Sequence, residues 1–238
     1  MSRPRRELLR VAGTEPVGPY TLLRFERGGV EPGSPGQFFM LEAPGRLLPR
    51  AFSLCLAPAG ELAFLIDPVG AGTESLCTLG RDDAIHVFGP LGHGFRLDVE
   101  RPLLVGGGVG IAPLPYLAEA LRFPPAVLGF RSAFHAEAAA LLPGAEIAID
   151  PTFVTELIPA GHQVLACGPE PMLEAIASQH PGAQLAWEAP MACGYGACYG
   201  CAVEIGGEWK RLCVQGPVLS GTDMSGVRPL TFTEEAAA

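Results

Sequence analysis

The segment RPLLVGGGVGIAPLPYLAEALRF (101–123) decides the fold of the central part of this chain. Apolar residues 103–105 form a short buried strand, four glycines follow within five positions, and Pro113 suits the first turn of a helix. A strand, a glycine-rich turn and a helix in this order are the setting in which backbone N–H groups cradle phosphate. The segment therefore predicts one βα unit of a parallel sheet, with a candidate dinucleotide site at its turn.

The glycine spacing departs from the usual dinucleotide fingerprint. Counted from Gly106 and Gly108, the third glycine of G-x-G-x-x-G would fall on Ile111. The acidic residue expected about 20 positions further on is also missing, because GFRS (129–132) supplies Arg131 there. Taken alone, the turn leaves two interpretations open, a nucleotide site and a tight structural turn.

The residues that follow, up to 182, repeat this alternation of strand and helix. HQVLACG (162–168) predicts a strand that ends in a turn, and EPMLEAIASQ (170–179) predicts the helix after it. Further strands are predicted at AVLGFRS (126–132), EIAID (146–150) and AQLAW (183–187), with a short helix at EAAALL (137–142). Such alternation favours a mostly parallel sheet, which binds ligands beyond the carboxyl ends of its strands.

The first 98 residues have a different pattern, with short apolar runs between glycine- and proline-containing breaks. The runs are YTLLRFER (20–27), GQFFMLEA (36–43), RAFSLCLA (50–57), ELAFLID (61–67) and AIHVFGP (84–90). Several short strands at this spacing predict an antiparallel barrel or sandwich. The chain thus divides into a β unit at 1–98, an α/β unit at 99–182 and a cysteine-rich unit at 183–238.

Four of the seven cysteines lie close together near the end of the chain, with the spacing C-x4-C-x2-C-x11-C. They are Cys193, Cys198, Cys201 and Cys213. The first three match the spacing of plant-type [2Fe–2S] ferredoxins, and the glycines of MACGYGACYGC (191–201) allow a loop to wrap closely around a cluster. A structural zinc site is the alternative, although zinc usually takes two C-x2-4-C pairs.

Composition excludes some function classes. The formal net charge is −9, so the chain as a whole does not attract the negatively charged phosphate backbone of a nucleic acid. We therefore expect no nucleic-acid binding. The longest uncharged stretch has 17 residues (102–118) and is interrupted by glycine and proline, whereas a membrane span needs about 20 apolar residues. We therefore expect no membrane association and a cytoplasmic location, where clustered cysteines indicate metal or redox chemistry rather than disulfides.

Four motifs occur in an order that resembles the ferredoxin–NADP reductase superfamily. They are RAFSL (50–54), GAGT (70–73), GGGVGIAP (106–113) and CGPEPM (167–172). With the added MACGYGACYGC, the chain resembles the electron-transfer subunits of class 1B dihydroorotate dehydrogenases. The resemblance implies an antiparallel β-barrel flavin domain (1–98), a parallel-sheet nucleotide domain (99–182) and a small C-terminal [2Fe–2S] domain (183–238).

The resemblance also implies cofactor contacts, which the following residues supply. For FAD, Arg50 holds the pyrophosphate, Phe52 lies against the isoalloxazine ring, and Ser53 lies near its N5 or O4. The remaining FAD residues are Ala51, Leu65, Ile66 and Asp67 on strands, and Gly72 and Thr73 at a phosphate. NAD is bordered by Gly107, Gly108, Gly110, Cys167, Gly168 and Pro169, and the cluster is held by Cys193, Cys198, Cys201 and Cys213. The gap of eleven residues before Cys213 is shorter than the family pattern leads us to expect.

A function follows from this resemblance and from electron counting. Nicotinamide exchanges two electrons as a hydride, a cluster exchanges one, and a flavin does both, so the flavin stands between the other two. We expect electrons to pass from the FMN of a dihydroorotate dehydrogenase catalytic subunit to the cluster, then to FAD and NAD⁺, in a heterotetramer of two subunits of each kind. The chain itself offers no convincing base for dihydroorotate oxidation.

Two alternatives remain open at this point. One is a flavin subunit of a bifurcating NADH-dependent ferredoxin:NADP oxidoreductase or of a cytoplasmic hydrogenase. Such subunits tend to carry Asp-Gly-Thr-Gly where this chain has a cysteine in the segment ACGYG (192–196). The other is a zinc-stabilised, non-enzymatic binding module, which would leave RAFSL and GGGVGIAP without a purpose.

Overall fold

The computed structural model describes residues 3–224 and 228–229, and the end of the expected cluster domain, 230–238, lies outside these residues. It contains three sheets, with the strand orders β4-β3-β6-β1-β2-β5, β14-β11-β10-β7-β8-β9 and β13-β12-β15. No helix in the described part of the chain is long and apolar enough to cross a bilayer.

The first sheet is antiparallel throughout and curls on itself. Its strands are β1 (Arg5–Val17), β2 (Tyr20–Glu26), β3 (Phe38–Leu41), β4 (Arg50–Ser53), β5 (Glu61–Ile66) and β6 (Ala84–Leu91), and helix α1 (Ala71–Cys77) joins the last two. Beyond β4, the antiparallel bridge Leu56–Ala63 connects this edge to β5 on the other edge. This contact draws the two edges together and confirms the antiparallel barrel expected for the first part of the chain.

The alternation of side chains in β5 explains how this sheet is buried on both faces. Leu62, Phe64 and Ile66 point into the interior of the curled sheet. Ala63 and Leu65 point the other way, into a second core shared with the α/β unit. Because successive side chains of a strand alternate between faces, one run of apolar residues packs against both neighbours.

The second sheet is parallel except for one edge strand. Its strands are β7 (Pro102–Gly107), β8 (Ala126–Phe130), β9 (Glu146–Ile149), β10 (Gln163–Cys167), β11 (Gln184–Ala186) and the antiparallel β14 (Val218–Ser220). The helices are α2 (Leu114–Ala120), α3 (Ala133–Ala136) and α4 (Glu170–Gln179), with short 3₁₀ turns at Gly108–Ile111, Glu137–Leu141 and Val154–Leu157. The chain adds β8 and β9 on one side of β7, and β10 and β11 on the other, so the order reverses between β7 and β10.

The cysteine-rich segment is inserted between the last two strands of the second sheet. It leaves after β11 and returns at β14, and between them it forms β12 (Ala202–Ile205), β13 (Glu208–Arg211) and α5 (Leu212–Gln215). β12 also pairs with β15 (Arg228–Pro229), and a short 3₁₀ turn covers Gly221–Met224. The boundary expected at residue 182 therefore falls before β11, and the second sheet takes two strands from the cysteine-rich part of the chain.

Candidate functional site

A first cavity, of about 230 Å³, lies where the barrel meets the α/β unit. The ends of β4 and β5 form one wall, the turn after β7 and the end of β10 form another, and the chain after β11 closes a third. The predicted FAD residues that line it are Ala51, Phe52, Ser53, Leu65, Asp67 and Thr73. The cavity thus brings together residues from β4, β5 and α1 that the flavin prediction names.

Arg50 lies beside this cavity, over the start of α1. Its Nη1 donates to the carbonyl oxygen of Leu48 at 2.8 Å. A Cβ atom placed on Gly72 would come within 2.8 Å of both Nε and Nη2 of Arg50, so the guanidinium covers the bare glycine. A side chain at position 72 would push the guanidinium aside, and the guanidinium offers the planar donors that suit a diphosphate.

The turn before α1 is closed by Thr73. The Thr73 hydroxyl donates to the carbonyl of Gly70 at 2.9 Å and accepts from the Gly70 N–H at 3.1 Å. Thr73 is therefore a capping residue of the turn as well as a lining residue of the cavity.

Ile66 differs from the other predicted residues, because its side chain is fully buried inside the barrel and only its backbone can face a flavin.

A second cavity, of about 590 Å³, lies over the carboxyl edge of the parallel sheet at the point where the strand order reverses. The residues predicted to border the nicotinamide dinucleotide that line this cavity are Gly107, Gly108, Gly110, Gly168 and Pro169. The turns after β7 and β10 touch, because a Cβ atom on Gly110 would lie 2.5 Å from the Cα of Gly168. Cys167 lines the first cavity instead of the second.

A polar group at the far end of the second cavity follows β8. Arg131 donates from Nε to His135 Nε2 at 2.6 Å, and Ser132 Oγ lies 2.8 Å from Nδ1 of the same ring. The exposed ring of Phe153 lines the same region of the cavity. This end offers a positioned guanidinium and an aromatic face, whereas the glycine turns form the other end.

The two cavities adjoin along a shared wall. Five residues line both of them: Asp67, Val109, Gly110, Trp187 and Glu188. Groups bound in the two cavities therefore meet across this wall. The sequence analysis assigned no role to Trp187 or Glu188, and no local pattern marks them, because they line the site only through the position of β11 in the sheet.

Two titratable groups at this wall have shifted pKa values. Glu188 is accessible from the cavities, but the protein around its carboxylate excludes enough water that burial raises its pKa. Burial also raises the pKa of the Cys167 thiol well above its usual range, and the nearby negative charge of Glu188 adds to this. Cys167 is therefore a protonated, unreactive thiol at neutral pH.

The four clustered cysteines lie on the loop that follows the first cavity and on α5. Backbone N–H groups point at three of the sulfurs. Ala197 donates to Cys193 Sγ at 3.3 Å, Gly200 donates to Cys198 Sγ at 3.5 Å, and Cys213 donates to Cys201 Sγ at 3.5 Å. N–H groups directed at sulfur stabilise thiolates, which is the form that binds iron.

The thiols approach one another as two pairs, Cys193 with Cys198 and Cys201 with Cys213. Within the described residues, no group of three or more His, Cys, Asp or Glu side chains has the arrangement of a metal site. Partial burial by itself raises the pKa of Cys193, but the N–H groups of Cys198 and Tyr195 outweigh it and lower the value to about 6. Burial, with contact to Cys201, raises the pKa of Cys213 to about 12.

Local packing holds the cysteine loop against the barrel. Gly194, at φ +80°, is so close to β3 that a Cβ atom would lie 2.7 Å from Met40 Cγ. On the other side, Arg211 Nη1 donates to the carbonyl of Gly196 at 2.9 Å, and its guanidinium lies 5.0 Å from the centre of the Tyr199 ring. Four thiol donors, inward N–H groups and a glycine loop fit an iron–sulfur cluster, and Met191 of the same loop lines the first cavity.

Together, the curled sheet, the reversed parallel sheet and the cysteine loop define a flavin- and iron–sulfur-dependent reductase. A protein-family model described as the iron–sulfur cluster binding domain of dihydroorotate dehydrogenase B matches residues 188–225, which argues against the zinc-stabilised module. The chain is 36% identical over 219 residues to the dihydroorotate dehydrogenase B (NAD(+)) electron transfer subunit of Caldanaerobacter subterraneus, covering 82% of this chain and 88% of the relative. It is 34% identical to the subunit of the same name from Clostridium perfringens, covering 79% and 86%. The chain belongs to the family of dihydroorotate dehydrogenase B electron transfer subunits.

Solved structures agree on the fold. The structure reported as that of an NADH-dependent reduced ferredoxin–NADP oxidoreductase, described for flavin-based electron bifurcation, superposes with a TM-score of 0.80 at 24% identity, covering 93% of this chain and 90% of that one. Phthalate dioxygenase reductase superposes with a TM-score of 0.62 at 16% identity, covering 84% and 87%. At identities of 24% and 16%, the similarity to these two structures shows a shared fold and nothing about function.

Proposed function

We propose that this chain carries electrons from a dihydroorotate dehydrogenase catalytic subunit, through a [2Fe–2S] cluster and FAD, to NAD⁺ in pyrimidine biosynthesis. The observation that carries this proposal is the order of the three sites. The cysteine loop adjoins the first cavity, and the first cavity shares a wall with the second. This is the order in which a one-electron carrier, a flavin and a two-electron carrier must stand.

Each part of the chain has a distinct task in this proposal. Residues 1–98 bind FAD, 99–182 bind the nicotinamide dinucleotide, and 183–238 hold the cluster, with β11 and β14 completing the second sheet. Arg50 and Gly72 hold the FAD pyrophosphate, and Phe52 and Ser53 border the isoalloxazine. The bound flavin supplies the exchange between one- and two-electron chemistry, while the glycine turns at 107–110 and 167–169 orient the nicotinamide beside it.

The partner in this proposal is a catalytic subunit that contains FMN and oxidises dihydroorotate to orotate. We place two subunits of each kind in the assembly, in the cytoplasm. The name of the relatives, electron transfer subunit, supports a separate catalytic subunit. Exposed Tyr195 and Tyr199 on the cysteine loop support docking at this face, because aromatic side chains are enriched in protein interfaces.

Anaerobic purification of the chain with its partner tests the proposal. We expect one FAD and two irons per copy of this chain, with a low-temperature paramagnetic resonance signal after reduction. The complex should reduce NAD⁺ when dihydroorotate is added. Zinc in place of iron, or no flavin after native purification, would contradict the proposal.

A further inference from the structure

A tyrosine of the barrel reaches the cavity assigned to the nicotinamide dinucleotide. Tyr20 is the first residue of β2, and although it is only 2% exposed, it lines the second cavity. A Cβ atom placed on Gly108 would lie 3.8 Å from the Tyr20 hydroxyl oxygen. The hydroxyl of a barrel residue therefore stands over the glycine turn at which the α/β unit is expected to bind a dinucleotide.

This hydroxyl has no hydrogen-bond partner in the part of the protein that the structure describes. No backbone or side-chain group of residues 3–224 donates to it or accepts from it. A tyrosine hydroxyl in a nearly buried side chain usually has a partner, so its absence here indicates that a bound ligand supplies one. Burial raises the pKa of Tyr20, and the charge of Asp67 adds to this, so the hydroxyl keeps its proton at neutral pH.

We propose that the Tyr20 hydroxyl donates a hydrogen bond to the diphosphate of the nicotinamide dinucleotide. This inference rests on the function proposed above. The diphosphate of a dinucleotide lies at the glycine turn where the strand order of such a sheet reverses, which here is the turn that begins at Gly107 and Gly108. These glycines leave the backbone open to a phosphate on one side, and Tyr20 faces it from the other.

The charges around the hydroxyl favour an anionic ligand. Arg131 and Asp67 both lie close enough to change the pKa of Tyr20, Arg131 lowering it and Asp67 raising it. Arg131 uses Nε for its bond to His135, and its two terminal nitrogens have no partner among the described residues, so they are free to face a phosphate. Asp67, at the wall that both cavities share, repels phosphate from that wall and favours its placement toward Arg131.

Other polar side chains of the second cavity are less suited to donate to a diphosphate. Both ring nitrogens of His135 are occupied, one by Arg131 and the other by Ser132 Oγ. Asp150 and Glu170 also line the cavity, but ionised carboxylates have no proton to donate and carry the same sign of charge as the ligand. Tyr20 is a neutral donor that adds no such repulsion.

The hairpin between β1 and β2 holds Tyr20 in place. Gly18 of this hairpin, at φ +58°, packs so closely on α3 that a Cβ atom there would collide with the carbonyl oxygen of Phe134. The Tyr20 ring meets the His135 ring edge to face, with 6.0 Å between the ring centres. A diphosphate bound by Tyr20 and by the turn after β7 therefore connects the barrel to the α/β unit.

The test uses the complete oxidised complex, loaded with its cofactors, and the variant Tyr20→Phe. This substitution removes the hydroxyl and keeps the ring that packs on His135. We expect the Kd values for NAD⁺ and for ADP-ribose, which share the diphosphate, to rise by ~10-fold or more in calorimetric titration, the size typical of a lost hydrogen bond to a charged group. Adenosine, which has no phosphate, should bind the variant and the wild type equally.

Tyr116→Phe is the matched control. The Tyr116 hydroxyl donates to the carbonyl of Gly33 at 2.9 Å, and Tyr116 lines neither cavity. We expect this control to lower the melting temperature of the ligand-free protein and to leave the Kd for NAD⁺ unchanged. Tyr20→Phe should show the opposite pattern, because its hydroxyl has a partner in the ligand and none in the protein.

Unchanged Kd values for NAD⁺ and ADP-ribose in Tyr20→Phe would overturn the inference. A loss confined to NAD⁺ would also overturn it, because the hydroxyl would then contact the nicotinamide half, and so would an equal loss for adenosine, which would place the contact on the nucleoside. Failure of the wild-type complex to bind NAD⁺ at all would instead contradict the proposed function.

Discussion

At the scale of the residue, the position of Arg50 beside the proposed FAD site depends on the space that Gly72 leaves by having no side chain. The Arg50 guanidinium occupies the space where a side chain at Gly72 would be. The sequence predicted both residues through the RAFSL and GAGT motifs, but the contact between them needs the curled sheet that brings β4 next to α1. Local sequence therefore predicts the members of this pair, and the fold supplies their approach.

Gly72→Ala tests this contact. The new methyl group should displace the guanidinium and remove its charge-assisted bonds to the FAD pyrophosphate, at a cost of about 1.5–3 kcal/mol, or roughly 10- to 100-fold in the Kd for FAD. Gly70→Ala is the control, because a Cβ atom there meets no neighbour within 4 Å. Equal FAD affinity in the two variants, measured by fluorescence titration, would show that the close contact between Gly72 and Arg50 is not needed for FAD binding.

Cys213 is the cluster ligand that sequence spacing defined least well, and the structure places it on α5 against Cys201. We expect Cys213→Ala to lose the cluster, since a [2Fe–2S] centre needs four ligands. Cys77→Ala, at the half-buried last residue of α1, should keep two irons per chain. The measurement is the iron and acid-labile sulfide content per chain. Two irons per chain in the Cys213→Ala protein would show that Cys213 is not a cluster ligand.

At the scale of the element, sequence periodicity predicted most strands and the helix after CGPEP, because each has a strong local pattern. The helix α4 covers the predicted residues 170–179. The predicted helix at EAAALL instead forms a 3₁₀ turn at Glu137–Leu141. The segment is short and follows α3, and Pro143 comes soon after it, so little room remains for regular helix.

The insertion of the cysteine segment between β11 and β14 was not predictable in the same way. These two strands are three residues each and pair across more than thirty intervening positions. AQLAW (183–187) predicted β11, but no pattern predicted β14, and the pairing of the two strands depends on burial of Leu185 and Leu219 against the rest of the sheet. This partnership also places Glu188 at the wall that the two cavities share, a position that no local sequence pattern indicates.

Arg211 connects β13 to the cysteine loop, and Arg211→Ala tests the connection. Loss of the bond to the Gly196 carbonyl and of the contact with the Tyr199 ring should destabilise the loop by about 1–2 kcal/mol. Chelator-driven loss of the cluster should then be roughly 5- to 30-fold faster. Lys210→Ala is the neighbouring control on the same strand, and identical rates in the two variants would contradict a role for Arg211 in the loop.

At the scale of the whole molecule, the cysteine loop adjoins the first cavity, and the first cavity adjoins the second. The barrel supplies one wall of the flavin cavity, and the reversal of strand order supplies the other. The motifs predicted the presence of each site. Their order in space follows from the insertion of the cysteine segment beside the barrel, with Gly194 packed on Met40.

The most direct test of the account removes the cluster and keeps the flavin. In a complex of the partner with Cys198→Ala, NADH should still reduce an artificial two-electron acceptor through FAD, because that path does not cross the cysteine loop. Dihydroorotate should no longer reduce NAD⁺, because electrons from the partner cannot reach FAD. Coupled NAD⁺ reduction at the wild-type rate in an iron-free Cys198→Ala complex would contradict the account.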